Sequence, residues 1–160
     1  MVCFPDDDCW YPPETLARVQ RRFEAEPGLD GLTGITTDGA GHRTSARWQR
    51  RAGPIDRFNV WTCAISCTIF LRRQMVERAG TFDPRLGPGG DPGRESGDET
   101  DYLLQVLARG GRLVFDPGLE VFHLDPVQQI DAAALDRIAR YAGGAGLVLR
   151  KHDFPLWFVA

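Results

Sequence analysis

Three consecutive carboxylates near the start of the chain are the residues best suited to holding a hard cation. Asp6, Asp7 and Asp8 follow a short apolar stretch and precede Pro12-Pro13, with which a helix can begin. Carboxylate oxygens suit magnesium or manganese, and such ions usually keep positions open for substrate phosphates, so one or two protein carboxylates are enough. Taken alone, however, the triplet favours a simpler interpretation, a solvated turn that caps the next helix.

A second acidic cluster, Ser96-Gly97-Asp98-Glu99-Thr100-Asp101, lies at the start of the clearest helix that the sequence predicts. Ser96 and Glu99 have the spacing of a capping box, in which each side chain binds a backbone N–H at the helix start. A carboxylate between a glycine-rich loop and a helix can also accept a proton from a substrate hydroxyl. Both roles are compatible, because one acid can cap the helix while its neighbour reacts.

Histidine, tryptophan and arginine side chains are further candidates, each with a simpler structural account. His123 ends the last predicted strand, where it can project toward a site or only form a hydrogen bond. Aromatic faces stack on sugars and bases, but Trp10, Trp48 and Trp61 are most simply anchors of a core or a loop. Five arginines of one segment could clamp a phosphate or rest on an anionic membrane surface, although a solvated basic loop is the simpler account. They are Arg43, Arg47, Arg50, Arg51 and Arg57.

The elements that must position these residues follow from hydrophobic periodicity and from glycine and proline punctuation. Strands and helices alternate along the chain, which favours α/β architecture. Helices are predicted after Pro12-Pro13, with the stripe Leu16, Val19 and Phe23, and at 74–78, 98–109 and from 131 to about 141. Strands are predicted at 31–37, 60–71, 112–115 and 119–122, with a long loop at 42–58 and an irregular segment at 84–97.

Length, composition and charge bound the class of protein. A chain of 160 residues with 42% hydrophobic content can bury one sizeable core, so one domain is expected. A net charge of -3 gives no basic footprint, which excludes nucleic acid as an expected partner. The start has no secretory signal, and no stretch approaches the roughly 20 apolar residues that span a bilayer. A cytoplasmic setting is therefore expected, with peripheral contact at the inner face of the membrane as an option, and with Cys3, Cys9, Cys63 and Cys67 as free thiols.

Four segments together occur in the order seen in family 2 glycosyltransferases of the GT-A fold, and this resemblance covers nearly the whole chain. The segments are Phe4-Pro5-Asp6-Asp7-Asp8-Cys9, Gly80-Thr81-Phe82-Asp83, Gly97-Asp98-Glu99-Thr100-Asp101 and Val121-Phe122-His123. The resemblance implies an α/β fold, a partial GT-A (Rossmann-like) mixed sheet with flanking helices. It also implies inverting transfer of a sugar from a nucleotide-sugar donor to an acceptor hydroxyl, as in cell-wall or polysaccharide biosynthesis.

The resemblance also assigns roles to individual residues. It implies that Asp6, Asp7, Asp8 and His123 contact the donor diphosphate and that Asp6, Asp8 and His123 hold Mn2+ or Mg2+. The base that deprotonates the acceptor would be Glu99, with Asp98 beside it. Acceptor contacts would come from Trp61, Gly97 and Asp101. A UDP-sugar is the favoured donor, and a carbohydrate or lipid-linked molecule is the expected acceptor.

Three departures from the family pattern qualify the resemblance. The family more often has glutamate before aspartate, whereas this chain has Asp98-Glu99, and it commonly has arginine where Gln105 stands. In the family, a first βαβ half that binds the base and ribose precedes the aspartate motif, which begins here at the sixth residue. We therefore expect residues 1–160 to form the metal- and acceptor-binding half of an incomplete domain. Such a truncated or split enzyme would be weakly active by itself, or inactive, without a missing N-terminal half or partner chain.

Two other functions fit the same residues. In a non-catalytic glycosyltransferase-like binding module or partner subunit, the acids would serve only as helix caps. A metal-dependent nucleotidyltransferase or phosphotransferase is a weaker alternative, because those enzymes face the same problem of binding a metal and a diphosphate.

Overall fold

The computed structural model describes residues 1–44, 47–124 and 132–159, apart from the side chain of residue 133. The chain divides into two compact units. The first, here called the sheet unit, comprises Met1–Gly80 and Gln105–Pro126, and the second, the helical unit, comprises Thr81–Leu104 and Val127–Ala160. The predicted first residue of the last helix, Asp131, lies outside the described residues.

The described elements mix strands and helices along the chain, although β3, β4 and β5 follow one another, as do α2 and α3. The strands are β1 (Val2–Cys3), β2 (Cys9–Trp10), β3 (Gly31–Thr37), β4 (Gly53–Pro54), β5 (Ile69–Leu71) and β6 (Leu113–His123). The helices are α1 (Thr15–Ala25), α2 (Arg73–Ala79), α3 (Asp98–Ala108), α4 (Ala132–Lys151) and α5 (Leu156–Val159). Within the described ranges, no helix is both long enough and apolar enough to cross a membrane.

The six strands form one mixed sheet in the order β1-β5-β3-β6-β2, with β4 paired to β6. The pair β3 and β6 is parallel, and the other described pairings are antiparallel. All seven residues of β3 are buried, which is typical of a central strand with both faces covered. The architecture is therefore α/β, a mixed sheet with flanking helices.

The last strand is longer than the sequence predicts. Instead of two short strands separated by Asp116-Pro117-Gly118, β6 runs from Leu113 to His123. Its pairing with β3 shifts register between Thr33 and Ile35, so the extra residues of β6 bulge out of the ladder. A bulge adds residues to one strand and bends it without ending it. The prediction of two strands was therefore wrong, because the turn-forming residues are accommodated inside one strand.

Close contacts on both strands hold this bulge. The amide of Gly118 donates to the Asp116 carboxylate at 2.9 Å, and Arg18 of α1 pairs with the same carboxylate at 2.9 Å. On β3, a Cβ at Gly34 would lie 2.1 Å from the carbonyl oxygen of Leu119. Any residue other than glycine would therefore push the two strands apart at the bulge.

Helix α1 packs on the sheet through part of its predicted apolar stripe. Val19 and Phe23 are buried, whereas Leu16 is exposed and Thr15 is buried beside it. Full burial of a side chain such as valine or phenylalanine stabilises the fold by about 1.5–3 kcal/mol. The core cluster around these two residues also contains Leu29, Leu32, Cys67, Phe70, Leu119 and Val121.

Most of the segment predicted as a strand at 60–71 is not extended. Two 3-10 turns, Val60–Thr62 and Ser66–Thr68, precede the three-residue strand β5. The amide of Ile65 donates to the Thr68 hydroxyl at 3.1 Å, which closes the second turn locally. Apolar, β-branched composition signals burial here, and a short apolar run does not by itself separate a strand from a buried turn.

Helix α4 continues well past its predicted end near residue 141. It passes through Gly143 and Gly144 to Lys151. Glycine disfavours a helix by about 1 kcal/mol relative to alanine, which is why the sequence predicts a stop there. A Cβ at Gly144 would lie 2.2 Å from the carbonyl oxygen of Ser96, and a Cβ at Gly143 would lie 2.0 Å from that of Gly93. The glycines therefore permit close packing of the helix on a loop of the helical unit.

That loop, residues 84–97, contains no helix or strand, as predicted, but its backbone is hydrogen-bonded to itself. The amide of Gly87 donates to the carbonyl of Arg94 at 3.0 Å, and the amide of Asp91 donates to that of Arg85 at 3.1 Å. Leu86 is buried beneath it. These contacts give the loop a defined path to the start of α3.

Two alanine substitutions in α4 should have opposite effects on stability. Gly144→Ala should lower the free energy of unfolding by about 1–3 kcal/mol, because its methyl group would overlap the Ser96 carbonyl. Gly146 has no atom within 4 Å of its Cβ position, so Gly146→Ala should raise that free energy by up to about 1 kcal/mol. Urea unfolding followed by circular dichroism measures both. Equal effects of the two substitutions would contradict the close contact.

Candidate functional site

The three aspartates lie on a tight turn of the sheet unit that leads directly into β2. The amide of Cys9 donates to the carbonyl of Asp6 at 3.4 Å, and the Cys9 thiol donates to the same oxygen at 3.2 Å. Asp7 and Asp8 occupy the corner of the turn and are exposed, whereas Asp6 is half-buried. A four-residue turn of this kind presents its corner side chains to solvent.

Strand pairing brings one of these aspartates to the predicted histidine. In the antiparallel pair of β2 and β6, Cys9 stands opposite His123. The residue before Cys9, Asp8, places its Oδ1 3.2 Å from His123 Nε2. The His123 side chain is 12% exposed and that of Asp8 is 58% exposed, so the pair opens to solvent on the carboxylate side. The hydroxyl of Thr44 donates to the backbone carbonyl of His123 at 2.8 Å and fixes the end of β6.

Ser66 binds Asp6, the remaining residue of the predicted metal site, and the sequence did not identify Ser66 as functional. Its Oγ donates to Asp6 Oδ2 at 2.7 Å. Ser66 belongs to the 3-10 turn before β5, sixty residues away in the chain. No local pattern marks such a residue, because its role depends only on the sheet order that brings β5 near the aspartate turn.

Neutral groups lie behind the aspartate turn. The hydroxyl of Tyr11 donates to the backbone carbonyl of Cys67 at 3.1 Å. Burial raises the pKa of the Cys67 thiol and, less strongly, that of Cys9. Burial, together with the neighbouring thiols, also raises the pKa of Tyr11. The negative charge at this edge of the sheet therefore comes from carboxylates alone.

The aspartate turn and His123 offer oxygen and nitrogen donors that could hold a divalent cation. Asp8 supplies an oxygen and His123 a nitrogen, a donor set that manganese accepts, and Asp6 keeps Oδ1 beside its bond to Ser66. In the part of the chain that the structure describes, no three His, Cys, Asp or Glu residues form a ready-made metal cluster. Magnesium and manganese sites of this class take their remaining ligands from phosphates and water.

The second acidic cluster opens α3 in the helical unit. The amide of Asp101 donates to the carbonyl of Gly97 at 2.8 Å, so Gly97, with a positive φ of 85°, is the residue before the helix. The Ser96 hydroxyl donates to the carbonyl of Tyr141 at 2.8 Å. The predicted capping box takes Ser96 as the residue before the helix, whereas Gly97 occupies that position. Asp98 and Glu99 lie in the first turn, where the helix dipole stabilises carboxylates.

Asp101 is the centre of a charged network in the helical unit. Its side chain is fully buried, and its oxygens lie 2.9 Å from Lys151 Nζ and 2.7 Å from His152 Nε2. Lys151 also contacts Asp83 at 2.8 Å, and Arg85 pairs with Asp83 at 2.7 Å. The acceptor-binding role of Asp101 stays a prediction, but both of its oxygens already have partners inside the protein.

The other predicted acceptor residues lie in separate parts of the fold. Trp61 is half-buried in the 3-10 turn Val60–Thr62 of the sheet unit, whereas Gly97 precedes α3 in the helical unit. Asp98 and Glu99 are half-buried. The Asp98 carboxyl lies against the backbone of the glycine-rich loop, because a Cβ at Gly87 would be 2.5 Å from Asp98 Cγ.

Fold and site together define an α/β protein with an acidic turn paired to a histidine at one edge of a mixed sheet. No family model matches the chain, and neither a curated protein nor a solved structure matches it. The interpretation of the site therefore rests on its geometry and on the residues themselves.

Acid should destabilise the protein through Asp83. The Arg85 guanidinium first and Lys151 second hold the pKa of Asp83 below its usual range. At pH values between that lowered pKa and about 3.9, the pKa of an aspartate in an unfolded chain, the unfolded state binds a proton that the folded state does not. The stabilisation is therefore complete above pH 4 or so and is lost progressively as the pH falls further.

The variant Arg85→Gln isolates this effect. It should reduce the loss of stability between about pH 5 and pH 2, measured by urea unfolding, because Asp83 then titrates closer to its unfolded value. The matched control is Arg94→Gln. Arg94 lies in the same loop and forms an ion pair of the same kind, with Asp91. If both variants show the full acid loss of the unmodified protein, the pairing of Asp83 is not its cause.

Proposed function

We propose that this chain carries the metal-binding and acceptor-side residues of an inverting glycosyltransferase of GT-A type. The reaction would transfer a sugar from a nucleotide-sugar donor, with a UDP-sugar favoured, to a hydroxyl of a carbohydrate or lipid-linked acceptor. The single observation that carries the proposal is the contact of Asp8 with His123 across β2 and β6, at 3.2 Å.

The location of this pair in the sheet supports the proposal. His123 is the last residue of β6, and β6 runs parallel to β3, whose last residue Thr37 pairs with Phe122. In open α/β sheets, ligands bind beyond the carboxyl ends of parallel strands. The Asp6–Asp8 turn precedes Cys9, the partner of His123, so the turn lies at that same edge.

Each residue of the turn has a distinct proposed task. Asp8 and His123 would hold the cation, and Asp6, whose Oδ2 accepts a hydrogen bond from Ser66, would contribute a further oxygen. A bound Mn2+ or Mg2+ would neutralise charge on the departing nucleoside diphosphate. The exposed carboxylate of Asp7 is free of resolved protein contacts in the described residues, so it can contact donor-bound water or metal-bound water.

The proposed base lies on α3. Glu99, with Asp98 beside it, would accept the proton of the acceptor hydroxyl as that oxygen attacks the anomeric carbon and the diphosphate departs from the opposite face. Both carboxylates lie in the first turn of α3, and a general base of this kind accepts a proton from a hydroxyl within hydrogen-bond reach. A single displacement needs no covalent intermediate with the protein.

A non-catalytic binding module is the alternative that one observation favours. Asp101, the last acid of the cluster on α3, is engaged in ion pairs with Lys151 and His152 and so has a structural use. If the acids on α3 are all structural, the chain would bind a ligand without transforming it. Metal binding separates the two functions.

Manganese titration tests the proposed metal site. The unmodified protein should bind one equivalent of Mn2+ more tightly with UDP present than without it, because the diphosphate supplies further ligands. Asp8→Ala and His123→Ala should each weaken that affinity by more than about tenfold. Free Mn2+ is measured by electron paramagnetic resonance, and circular dichroism verifies folding.

The sheet unit offers a matched control. His42 and Asp38 form a second histidine–carboxylate pair, 2.8 Å apart, in an exposed loop. Substitution of His42 by alanine should leave Mn2+ affinity unchanged. Absence of Mn2+ binding by the folded protein, with and without UDP, would eliminate the proposed transferase site and favour the non-catalytic module.

Ser66 should affect the same affinity indirectly. Ser66→Ala frees Asp6 Oδ2 from its hydrogen bond and should weaken Mn2+ binding by roughly tenfold, the usual effect of removing a residue that orients a ligand. Ser66→Thr keeps the hydroxyl and should restore the affinity. Ser96→Ala removes a serine hydroxyl from the helical unit and should change nothing. Equal Mn2+ affinities of the alanine and threonine variants at position 66 would contradict the orienting role.

A further inference from the structure

Exposed apolar side chains are concentrated at the end of the chain. Six of the eleven large hydrophobic residues found exposed in the described ranges lie between 132 and 159. On α4 they are Leu135, Ile138 and Tyr141, and on α5 they are Leu156, Trp157 and Val159. A concentration of this kind marks a surface that contacts something other than water.

The exposed residues of α4 belong to one face of the helix. Successive residues of an α-helix are rotated by about 100°, which places Leu135, Ile138 and Tyr141 within an arc of about 120°. Ala142, Ala145 and Leu149 fall within the same arc, and none of them is buried. A different side of the helix, which contains Gly144 and Val148, packs on the rest of the helical unit. Ala134, in the same arc, is buried, so this apolar face of α4 is open from Leu135 onward and only half-exposed at Ala145 and Leu149.

Helix α5 follows α4 along the chain and also carries exposed apolar side chains. The amide of Phe154 donates to the carbonyl of Leu149 at 3.0 Å, and the rings of Phe154 and Phe158 pack with centroids 5.0 Å apart. These contacts anchor the four-residue helix on the end of α4. Leu156 and Trp157 face outward, 86% and 70% exposed. Their exposure is thus built into the fold of the helical unit.

Charge in this part of the chain has the opposite sign to the chain as a whole. Residues 132–159 contain four cations and two acids, whereas the full chain has a net charge of -3. Two of the cations, Arg140 and Lys151, are paired with acids of the helical unit. The other two, Arg137 and Arg150, have no ion pair with any described residue. They lie about 100° and about 120° from the middle of the apolar arc, on opposite sides of it.

We infer that α4 and α5 dock onto an anionic lipid surface. The apolar arc of α4 and the side chains of Leu156 and Trp157 would enter the boundary between headgroups and acyl chains. Arg137 and Arg150 flank the arc at positions from which a long basic side chain reaches lipid phosphates while its stem stays apolar. Tryptophan and tyrosine prefer this boundary, because their rings are apolar and carry one polar group.

A second copy of the chain is a poorer occupant of the same face. A helical partner is specified by charged residues that border the apolar seam, and the positions that border it here include Ala139 and Gly146. The charges that flank the face, Arg137 and Arg150, have the same sign, and no described acid of α4 flanks it, so two copies would face each other with no opposite charges to set their register. A lipid surface imposes no register, and its phosphates complement the two arginines.

Vesicle flotation tests this inference on the intact chain. The protein should float with phosphatidylcholine vesicles containing about one quarter phosphatidylglycerol, and much less with phosphatidylcholine alone, because anionic lipid attracts basic residues near its surface. Leu135→Ser/Ile138→Ser and Leu156→Ser/Trp157→Ser should each reduce the bound fraction roughly tenfold. Arg137→Gln/Arg150→Gln should remove the preference for phosphatidylglycerol.

The matched control is Leu16→Ser, which removes an exposed leucine from α1 in the sheet unit and should leave flotation unchanged. Circular dichroism and thermal unfolding verify that each variant is folded. Failure of the unmodified protein to float, or equal flotation of all variants, overturns the inference. A dimer of the unmodified protein in analytical ultracentrifugation that the α4 substitutions dissociate, without lipid binding, would assign the face to a second copy instead.

Discussion

The parallel pairing of β3 with β6 is the constraint on which the sheet unit depends. β3 is buried along its whole length, so its position in the sheet is fixed by contacts on both faces and both edges. β6 can follow it for eleven residues only because its extra residues bulge outward and Gly34 admits the Leu119 carbonyl. A strand broken at the bulge would leave His123 without a defined position. The same pairing therefore builds the core and positions the histidine of the candidate site.

Charge is distributed differently in the two units. In the sheet unit, the carboxylates of the aspartate turn contact His123 and Ser66, and no described lysine or arginine forms an ion pair with them. In the helical unit, the buried carboxylate of Asp101 is compensated by Lys151 and His152. Burial of a charge costs several kcal/mol unless a partner offsets it, which explains why the acid with no exposure has two partners. The solvent-facing acids of the aspartate turn can bind ligands, whereas the compensated Asp101 stabilises α3.

The glycines of the helical unit connect loop geometry to the acids on α3. Gly143 and Gly144 let α4 approach the backbone at Gly93 and Ser96, so the loop before α3 packs directly on a helix. Gly97 then turns the chain with a positive φ, which leads into the first turn of α3. Leu135, Ile138 and Tyr141 of α4, which do not pack in this way, remain exposed. One side of α4 is therefore closely packed, and another side of the same helix is exposed.

The sequence by itself determined the elements whose signals are local. The strand at 31–37, the helices near 74–78 and 98–109 and the irregular loop at 84–97 follow from periodicity, turn residues and glycine content, which act within a few residues. It also marked the aspartate turn and His123 as candidates, although their roles stay predictions. Tertiary structure alone decided the continuity of β6, the passage of α4 through three glycines, and the contacts of Asp8 with His123 and of Asp6 with Ser66. These features depend on close backbone contacts and strand pairings between residues far apart in the chain. Contacts between distant residues leave no local pattern in a sequence.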